Sequence, residues 1–357
     1  MHVRSCGILS CLLLNFVLSA GADDHTKLSW YRTASGSIEP ITTLPQWTTR
    51  RTEILDQMQR VMGPLPDRSQ WPSAEVRVLE RTELTEGLIR QKIQYTLDSV
   101  DRSIKAWVFL PDARRFPGRR PAVLCLHQTI AIGKDEPAGL GGNPHLHYAL
   151  ELGQRGFVTL APDYPSFGES TDAFPVEHGY ISGTMKAVAQ NMRAIDVLQA
   201  IEPVSTQRIG CIGHSLGGHN TMFTAAFDPR IQALVTSCGF TRFHKYYGGQ
   251  LQGWTSARYM PLIASQFHNS PDEVPFDFPE IVATFAPRPF LACSPTGDSN
   301  FEVSGVRDTM HAAQPIYQLL KAESALQATY PECGHDFPDE TREKAYQFLE
   351  KHLGVTP

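Results

Sequence analysis

A short apolar run that ends in a Gly-x-Ser-x-Gly turn is the feature that most constrains this chain. The run and its turn occupy residues 208–218, and a helix-compatible segment, His219–Phe227, follows at once. This context predicts a sharp strand-to-helix turn that lifts the Ser215 hydroxyl out of a β-sheet, beside the first backbone N–H groups of the helix. It favours a nucleophilic serine over an ordinary glycine-rich turn.

Two later segments carry the side chains that such a serine needs. An apolar run over residues 289–294 precedes a turn with Asp298, and a run over residues 326–330 precedes a Gly-His loop with His335. An imidazole can accept the proton of an attacking hydroxyl, and a carboxylate can fix the imidazole tautomer. The order Ser, Asp, His predicts Ser215, Asp298 and His335 as a catalytic triad.

Other residues compete for two of these positions. The chain has 13 histidines, but His335 lies in the last loop of the pattern, whereas His214 and His219 are fixed to the turn that holds Ser215. The alternatives to Asp298 are Asp277, Glu302 and Asp336. Asp336 adjoins His335 and is poorly placed to reach its Nδ1 atom.

Short apolar runs alternate with helical segments from residue 122 onward, the pattern of parallel βαβ units. The predicted strands are Ala122–His127, Phe157–Ala161, Arg208–Ile212, Ala233–Ser237, Pro289–Ser294 and Leu326–Tyr330. The three triad candidates all follow strands, so they belong at the carboxyl edge of one sheet. The prediction is an α/β fold, with a mostly parallel central sheet flanked by helices.

The region before residue 122 has a different pattern. Alternating polar and apolar residues over Glu75–Arg81, Leu88–Thr96 and Ile104–Leu110 predict antiparallel lead-in strands at one edge of the sheet. An amphipathic helix is predicted over Thr48–Gly63. We therefore expect an N-terminal extension at residues 23–70, with one helix, and a catalytic domain at residues 71–357.

The chain resembles α/β-hydrolases of the dienelactone hydrolase and acetyl xylan esterase-like type, within the prolyl-oligopeptidase-related esterases. The resemblance runs from about Ile54 to Leu353. Its marks are Leu126–Thr129, Ala161–Ser170, Gly213–Gly217, Ala286–Pro289 and Cys333–Phe337. Dienelactone hydrolases proper use a cysteine nucleophile where this chain has Ser215, which favours ordinary ester hydrolysis. Glucuronoyl esterases also resemble the fold, but the arginine and lysine neighbours of their serine are absent here.

The resemblance implies an oxyanion hole built from two backbone N–H groups. One belongs to Leu216, the residue after the nucleophile, and the other to Gln128 or Thr129, of which Gln128 is preferred. The substrate-binding candidates are His127, which could instead shape the oxyanion loop, together with Trp254 and Phe301. Trp254 lies in an insertion at about residues 240–287, whose aromatic side chains either stack on a substrate or pack the insertion against the body.

Composition and charge indicate which classes of partner the chain can have. The chain has 357 residues and a formal net charge of −5, and no Lys/Arg cluster interleaves with aromatics, so nucleic acid is not an expected partner. Residues 1–22 have the pattern of a signal peptide with cleavage after Ala22, which predicts a secreted or periplasmic protein without stable membrane insertion. A lipoprotein signal through Cys11 is the alternative.

After cleavage at Ala22 five cysteines remain. Because this number is odd, they cannot all pair in disulfides within the chain.

These observations predict a serine carboxylic-ester hydrolase that needs neither a cofactor nor a metal. By analogy with the family, its substrate is a small-molecule or carbohydrate ester, with acetylated xylan-like material as the specific hypothesis. The alternatives are a prolyl-oligopeptidase-related peptidase or amidase, and a catalytically silent binding protein. The acyl group, the alcohol and the oligomeric state are not predicted.

Overall fold

The computed structural model describes residues 24–98, 103–170 and 179–355. Within these ranges the strands are β1 (Trp30–Arg32), β2 (Ile38–Pro40), β3 (Val76–Glu83), β4 (Ile89–Tyr95), β5 (Ile104–Leu110), β6 (Arg120–Leu126), β7 (Val158–Pro162), β8 (Val204–His214), β9 (Ile231–Ser237), β10 (Phe290–Cys293) and β11 (Leu326–Thr329). The α-helices are α1 (Leu44–Met62), α2 (Tyr148–Gln154), α3 (Gly183–Ala200), α4 (Leu216–Phe227), α5 (Leu262–Ser265), α6 (Phe278–Ala283), α7 (Val303–Leu319) and α8 (Asp339–Leu353). The predicted signal peptide, residues 1–22, lies outside the described residues.

Nine of these strands form one sheet in the order β11-β10-β9-β8-β6-β7-β5-β4-β3. The six strands from β11 to β7 are parallel to one another. Strands β5, β4 and β3 are antiparallel to their neighbours. The predicted mostly parallel sheet with antiparallel lead-in strands is therefore confirmed.

The edge strand β3 differs from the central strands in burial. Every residue of β3 is exposed, whereas every residue of β6 and β7 is buried. Charged side chains on β3, such as Arg77 and Glu80, protect an edge whose backbone groups would otherwise be free to pair with another chain. The buried parallel strands instead read as nearly continuous apolar runs, which made them recognisable in the sequence.

Helix α1 begins at Leu44, four residues before the predicted start. The side chain of Gln46 accepts a hydrogen bond of 2.9 Å from the backbone N–H of Thr43, and Pro45 lies in the first turn. Both features stabilise a helix start. The predicted apolar face is confirmed, since Ile54, Met58 and Met62 are buried in the same core as the sheet.

The carboxyl ends of the parallel strands bring the loops of interest to one edge of the sheet. The loop after β8 carries Ser215, the loop after β6 carries Gln128, and the loops after β10 and β11 carry Asp298 and His335. No helix in the described ranges is both long and apolar enough to cross a membrane. The five cysteines of these ranges are free thiols.

Candidate active site

Ser215 lies in a strained turn between β8 and α4. Its backbone has φ 52° and ψ −117°, and its N–H donates to the carbonyl of Ser237 at 2.8 Å. A Cβ on Gly217 would lie 1.8 Å from the carbonyl oxygen of Leu126, and one on Gly213 would lie 2.3 Å from the backbone of Gly217. Both positions therefore need glycine, because the backbone of another segment approaches too closely for a side chain. The positive φ of Ser215 is a strained conformation of the kind that active sites retain.

His335 and Asp298 form a hydrogen-bonded pair. The Nδ1 atom of His335 donates to Oδ2 of Asp298 at 2.8 Å, and Oδ1 of Asp298 accepts from the N–H groups of Asn300 at 2.8 Å and Phe301 at 3.2 Å. Burial by itself would raise the pKa of Asp298, but these hydrogen bonds and the nearby imidazole outweigh it and lower the pKa. Asp298 is thus a carboxylate that holds the His335 ring with Nε2 free for chemistry.

A pocket of about 340 Å³ opens over the turn and brings the candidates together. This volume is within the range of small-molecule sites, roughly 300–1,000 Å³. Its lining residues are Gln128, Thr129, Ser215, Leu216, His219, Tyr246, Gly253, Trp254, Tyr259, Asn300, Phe301 and His335. The serine and the histidine thus face the same space, with Asp298 behind the histidine.

The two proposed oxyanion donors border the pocket from different elements. Leu216 is the first residue of α4, where backbone N–H groups have no partner within the helix. Gln128 lies two residues after β6, and Thr129, the alternative donor, contacts Tyr259 through their hydroxyl groups at 3.4 Å. Both sides of the pocket can therefore present backbone N–H groups to a substrate oxygen.

The competing carboxylates have other partners. Asp336 binds Nδ1 of His145 at 2.6 Å instead of His335. Asp277 caps α6 and accepts from the N–H groups of Phe278 and Phe243. Glu302 precedes α7 and contacts the hydroxyl of Ser304. These contacts leave Asp298 as the carboxylate bound to His335.

His127, one of the three substrate-binding candidates, is placed outside the pocket at Ser215. This residue is buried and does not line the pocket. Its Nδ1 atom donates to the carbonyl of Gln128 at 2.6 Å, and its Nε2 atom accepts from the N–H of Tyr164 at 2.9 Å. Because both ring nitrogens are used, His127 shapes the loop after β6. Trp254 and Phe301, the other two candidates, do line the pocket.

Two histidines beside the serine are held neutral by burial. Desolvation, followed by the charge of the neighbouring His335, lowers the pKa of His214 to about 3. Its Nδ1 contacts the hydroxyl of Ser237 at 3.0 Å. Desolvation also lowers the pKa of His219 to about 3. Among the described residues, neither ring nitrogen of His219 has a hydrogen-bond partner.

Cys238 is a neighbour of the site that the sequence did not reveal. It follows β9 with φ 48°, and its thiol donates to the carbonyl of Asp336 at 3.5 Å. Its sulfur, an oxygen of Asp298 and a ring nitrogen of His335 lie within 4.8 Å of one another. Burial, followed by the charge of Asp298, raises the pKa of the thiol. The thiol is therefore an inert neutral neighbour of the His335–Asp298 pair at ordinary pH.

Aromatic side chains of the insertion both pack the core and border the pocket. Trp254 lies 4.9 Å from the ring of His219, 5.3 Å from that of Tyr246 and 6.1 Å from that of Phe301, measured between centroids. It is 5% exposed and belongs to the main hydrophobic core. Trp254 thus packs the insertion against the body, as one of the two interpretations predicted, and it also forms part of the pocket wall.

A larger groove of about 510 Å³ lies elsewhere and contains none of the predicted site residues. Charged side chains that line it are paired with one another, as in Arg155 with Glu343 and Arg342 with Glu151 at 3.1 Å. It offers neither a nucleophile nor the His335–Asp298 pair. The smaller pocket at Ser215 is therefore the candidate active site.

Comparisons with known proteins point to the same class of enzyme. A family model described as glucuronyl esterase of fungi matches residues 177–321. This range includes the Ser215 turn, although that turn lacks the arginine and lysine neighbours expected of glucuronoyl esterases. YtaP of Bacillus subtilis (strain 168), a protein named as a hydrolase, is 27% identical over 316 residues, which cover 85% of this chain and 100% of YtaP.

Two further similarities involve carbohydrate esterases. Carbohydrate esterase MZ0003, from an unknown prokaryotic organism, is 24% identical over 157 residues, which cover 42% of this chain and 36% of that protein. The solved structure of a glucuronoyl esterase from Solibacter usitatus matches with a TM-score of 0.68 at 18% identity, covering 92% of this chain and 98% of that one. In its fold and in these matches the chain is thus similar to esterases and other hydrolases with an α/β fold.

Proposed function

We propose that Ser215, His335 and Asp298 are the catalytic triad of a hydrolase that acts on carbohydrate esters through an acyl-enzyme. The observation that carries this proposal is the pocket shared by Ser215 and His335, with Asp298 bound to the far nitrogen of the imidazole. A silent binding protein would have no need for a strained serine and an oriented imidazole in one pocket.

The mechanism has two half-reactions. The Ser215 oxygen attacks the ester carbonyl while Nε2 of His335 takes the hydroxyl proton, and the N–H groups of Leu216 and Gln128 stabilise the negative oxygen that forms. His335 then gives its proton to the departing alcohol oxygen as the C–O bond breaks. In the second half-reaction His335 activates a water molecule that releases the acid and regenerates Ser215.

The pocket wall supports a sugar-containing substrate. Tyr246, Trp254, Tyr259 and Phe301 give it aromatic faces, which suit the apolar faces of carbohydrate rings. Among the described residues no lysine or arginine lines the pocket, so it offers no permanently charged cation to a free carboxylate. An acetylated carbohydrate is the first candidate substrate. A uronic acid ester is the second, because the fungal glucuronyl esterase model matches the segment that carries Ser215 and Asp298.

Export is part of the proposal. The N-terminal pattern of a short basic start, an apolar stretch and small residues before Ala22 supports a secreted or periplasmic enzyme. Polymeric plant carbohydrates are met outside the cell, so such a location agrees with the proposed substrate class.

The test combines covalent labelling with a substrate panel. A fluorophosphonate probe should label the wild type and Ser265→Ala, which removes an exposed serine of α5, but not Ser215→Ala. The panel contains aryl acetates, acetylated xylan, a glucuronate methyl ester and a matched aryl amide. Turnover of the acetyl esters supports the first candidate, turnover of the uronate ester the second, and faster amide hydrolysis a peptidase. A wild type that is neither labelled nor active on any substrate would contradict the proposal.

A further inference from the structure

The two loops that carry Gln128 and His335 are joined by hydrogen bonds through the segment between β6 and α2. In the first half of the connection, the side-chain amide of Gln128 donates from Nε2 to Oε1 of Glu136 at 3.0 Å. The backbone N–H of Asn143 donates to the same oxygen, also at 3.0 Å. One buried carboxyl group therefore fixes both the Gln128 side chain and the turn at Asn143.

The second half of the connection runs from Asn143 to the loop of His335. The side-chain amide of Asn143 donates to Oδ1 of Asp336 at 3.2 Å, and Nδ1 of His145 donates to Oδ2 of Asp336 at 2.6 Å. The N–H of His145 in turn donates to Oδ1 of Asn143 at 3.0 Å. Asp336 is the residue after His335, so these bonds constrain the backbone that carries the proposed base.

The surroundings show that this arrangement is built into the fold. Glu136 is 1% exposed, and burial raises the pKa of its carboxyl group. Gly142 has φ 73°, and a Cβ there would lie 2.4 Å from Oε1 of Glu136. The turn can thus approach the carboxyl group closely only because this position is glycine. Burial of a carboxyl group lowers the stability of a fold unless the group forms hydrogen bonds that compensate for the loss of water.

We propose that Glu136, Asn143 and Asp336 are positioning residues. They fix the position of the Gln128 backbone N–H, the proposed oxyanion donor, relative to the imidazole of His335, the proposed base. The inference rests on the proposed function, because it assigns no chemistry to these three side chains. Catalysis depends on donors and bases held within a few tenths of an ångström of the reacting atoms. Residues 133–147 therefore form a strap between the two halves of the active site.

The first test compares two substitutions of Glu136. Glu136→Gln keeps the oxygen that accepts both N–H groups, and it changes only Oε2, which has no hydrogen-bond partner among the described residues. Glu136→Leu removes the acceptor. With an aryl acetate we expect kcat of Glu136→Leu to fall roughly 10- to 100-fold with KM nearly unchanged, since misplacement by about 1 Å can cost about 100-fold. Glu136→Gln should retain kcat within a few-fold.

A second readout separates positioning from general loosening. A trifluoromethyl ketone forms a tetrahedral anion on the serine, so its affinity should fall in parallel with kcat in Glu136→Leu, whereas the KM of the ester should not. His147→Ala is the matched control, because its side chain bonds within the same strap, to the carbonyl of Gly141 at 3.0 Å, and in the described part of the chain it forms no hydrogen bond with Gln128 or Asp336. It should leave kcat unchanged.

Asn143→Ala tests the other half of the connection and does not depend on the folding of a buried variant. Asn143 is partly exposed, and the substitution keeps its backbone bond to Glu136. It removes the bond from the Asn143 amide to Asp336 and the bond that Asn143 accepts from the N–H of His145. We expect a loss of kcat of about tenfold, less than additive with Glu136→Leu because both act through one network. An inactive wild type would refute the proposed function. An active wild type whose Asn143→Ala and soluble Glu136→Leu variants both keep kcat within threefold would overturn this inference alone.

Discussion

At the scale of single residues, the proposed chemistry depends on one nitrogen of His335. Asp298 lies behind the ring, with its side chain 1% exposed, and accepts from Nδ1. This contact leaves Nε2 as the atom that can accept a proton from Ser215. The carboxylate is fixed in its turn by two backbone N–H groups, so the orientation of the imidazole is set by the loop after β10.

Asp298→Asn should therefore abolish most of the activity without unfolding the protein. An amide can place its NH2 group against Nδ1 and select the tautomer that carries its proton on Nε2, which cannot act as a base. The expected loss of kcat is about 10⁴-fold, as for other triads. Steady-state kinetics with an aryl acetate measures it, with Asp308→Asn on the exposed face of α7 as control. A loss below tenfold would show that another group orients His335.

His219 makes the stability of the fold depend on pH. Burial lowers its pKa from 6.5 to about 3, so between these values the unfolded chain holds a proton that the folded protein lacks. Stability is complete above about pH 6.5 and falls as the pH falls through this window. His219→Leu should reduce the slope of the unfolding free energy against pH between 6.5 and 4, measured by urea titration. The exposed His311→Leu is the control, and an unchanged slope in His219→Leu would contradict the assignment.

At the scale of elements, the turn between β8 and α4 depends on the absence of side chains. Gly217→Ala would place a Cβ 1.8 Å from the carbonyl oxygen of Leu126 on β6, and backbone must move to relieve that overlap. We expect α4 to shift away from β6, with loss of several kcal/mol of stability and of fluorophosphonate labelling. At Gly118 φ is 77°, and beyond its chain neighbours no atom of the described residues would lie within 4 Å of an added Cβ. Gly118→Ala should therefore cost only about 1–2 kcal/mol. Equal thermal midpoints for the two variants would argue against this account.

The same elements show what could be predicted from the sequence. The parallel strands and the positions of Ser215, Asp298 and His335 were predictable because buried apolar runs and the turns after them are local patterns. The start of α1 was missed because Pro45 and polar residues resemble a loop until the Gln46 cap is considered. The proposed role of Glu136 was not predictable from the sequence. Glu136 is connected to Asp336, 200 positions away, through Asn143, which is 7 positions away, and these three residues meet only in the folded chain.

At the scale of the whole molecule, the N-terminal helix is joined to the insertion by a buried ion pair. Arg50 of α1 donates from Nη2 to Oε1 of Glu280 on α6 at 2.5 Å, and both side chains are nearly inaccessible. The guanidinium group also lies 3.9 Å from the ring centre of Trp30, and Nδ1 of His25 is 2.7 Å from Oε2 of Glu280. The segment before the sheet thus stabilises the insertion that supplies Trp254 to the pocket.

Removing one member of this pair should be more damaging than removing both. Arg50→Met leaves Glu280 charged and buried without its main partner, at an expected cost of about 3–5 kcal/mol in the unfolding free energy. Glu280→Gln removes that charge but keeps an oxygen for the backbone N–H of Asp277, which caps α6. The double variant should therefore be more stable than Arg50→Met alone, as measured by urea unfolding. The control is Glu53→Gln, which changes the partly exposed partner of Arg50 and should cost less than about 1 kcal/mol. A double variant whose losses simply add would mean that the two charges are stabilised independently, and that the N-terminal helix and the insertion are not coupled through them.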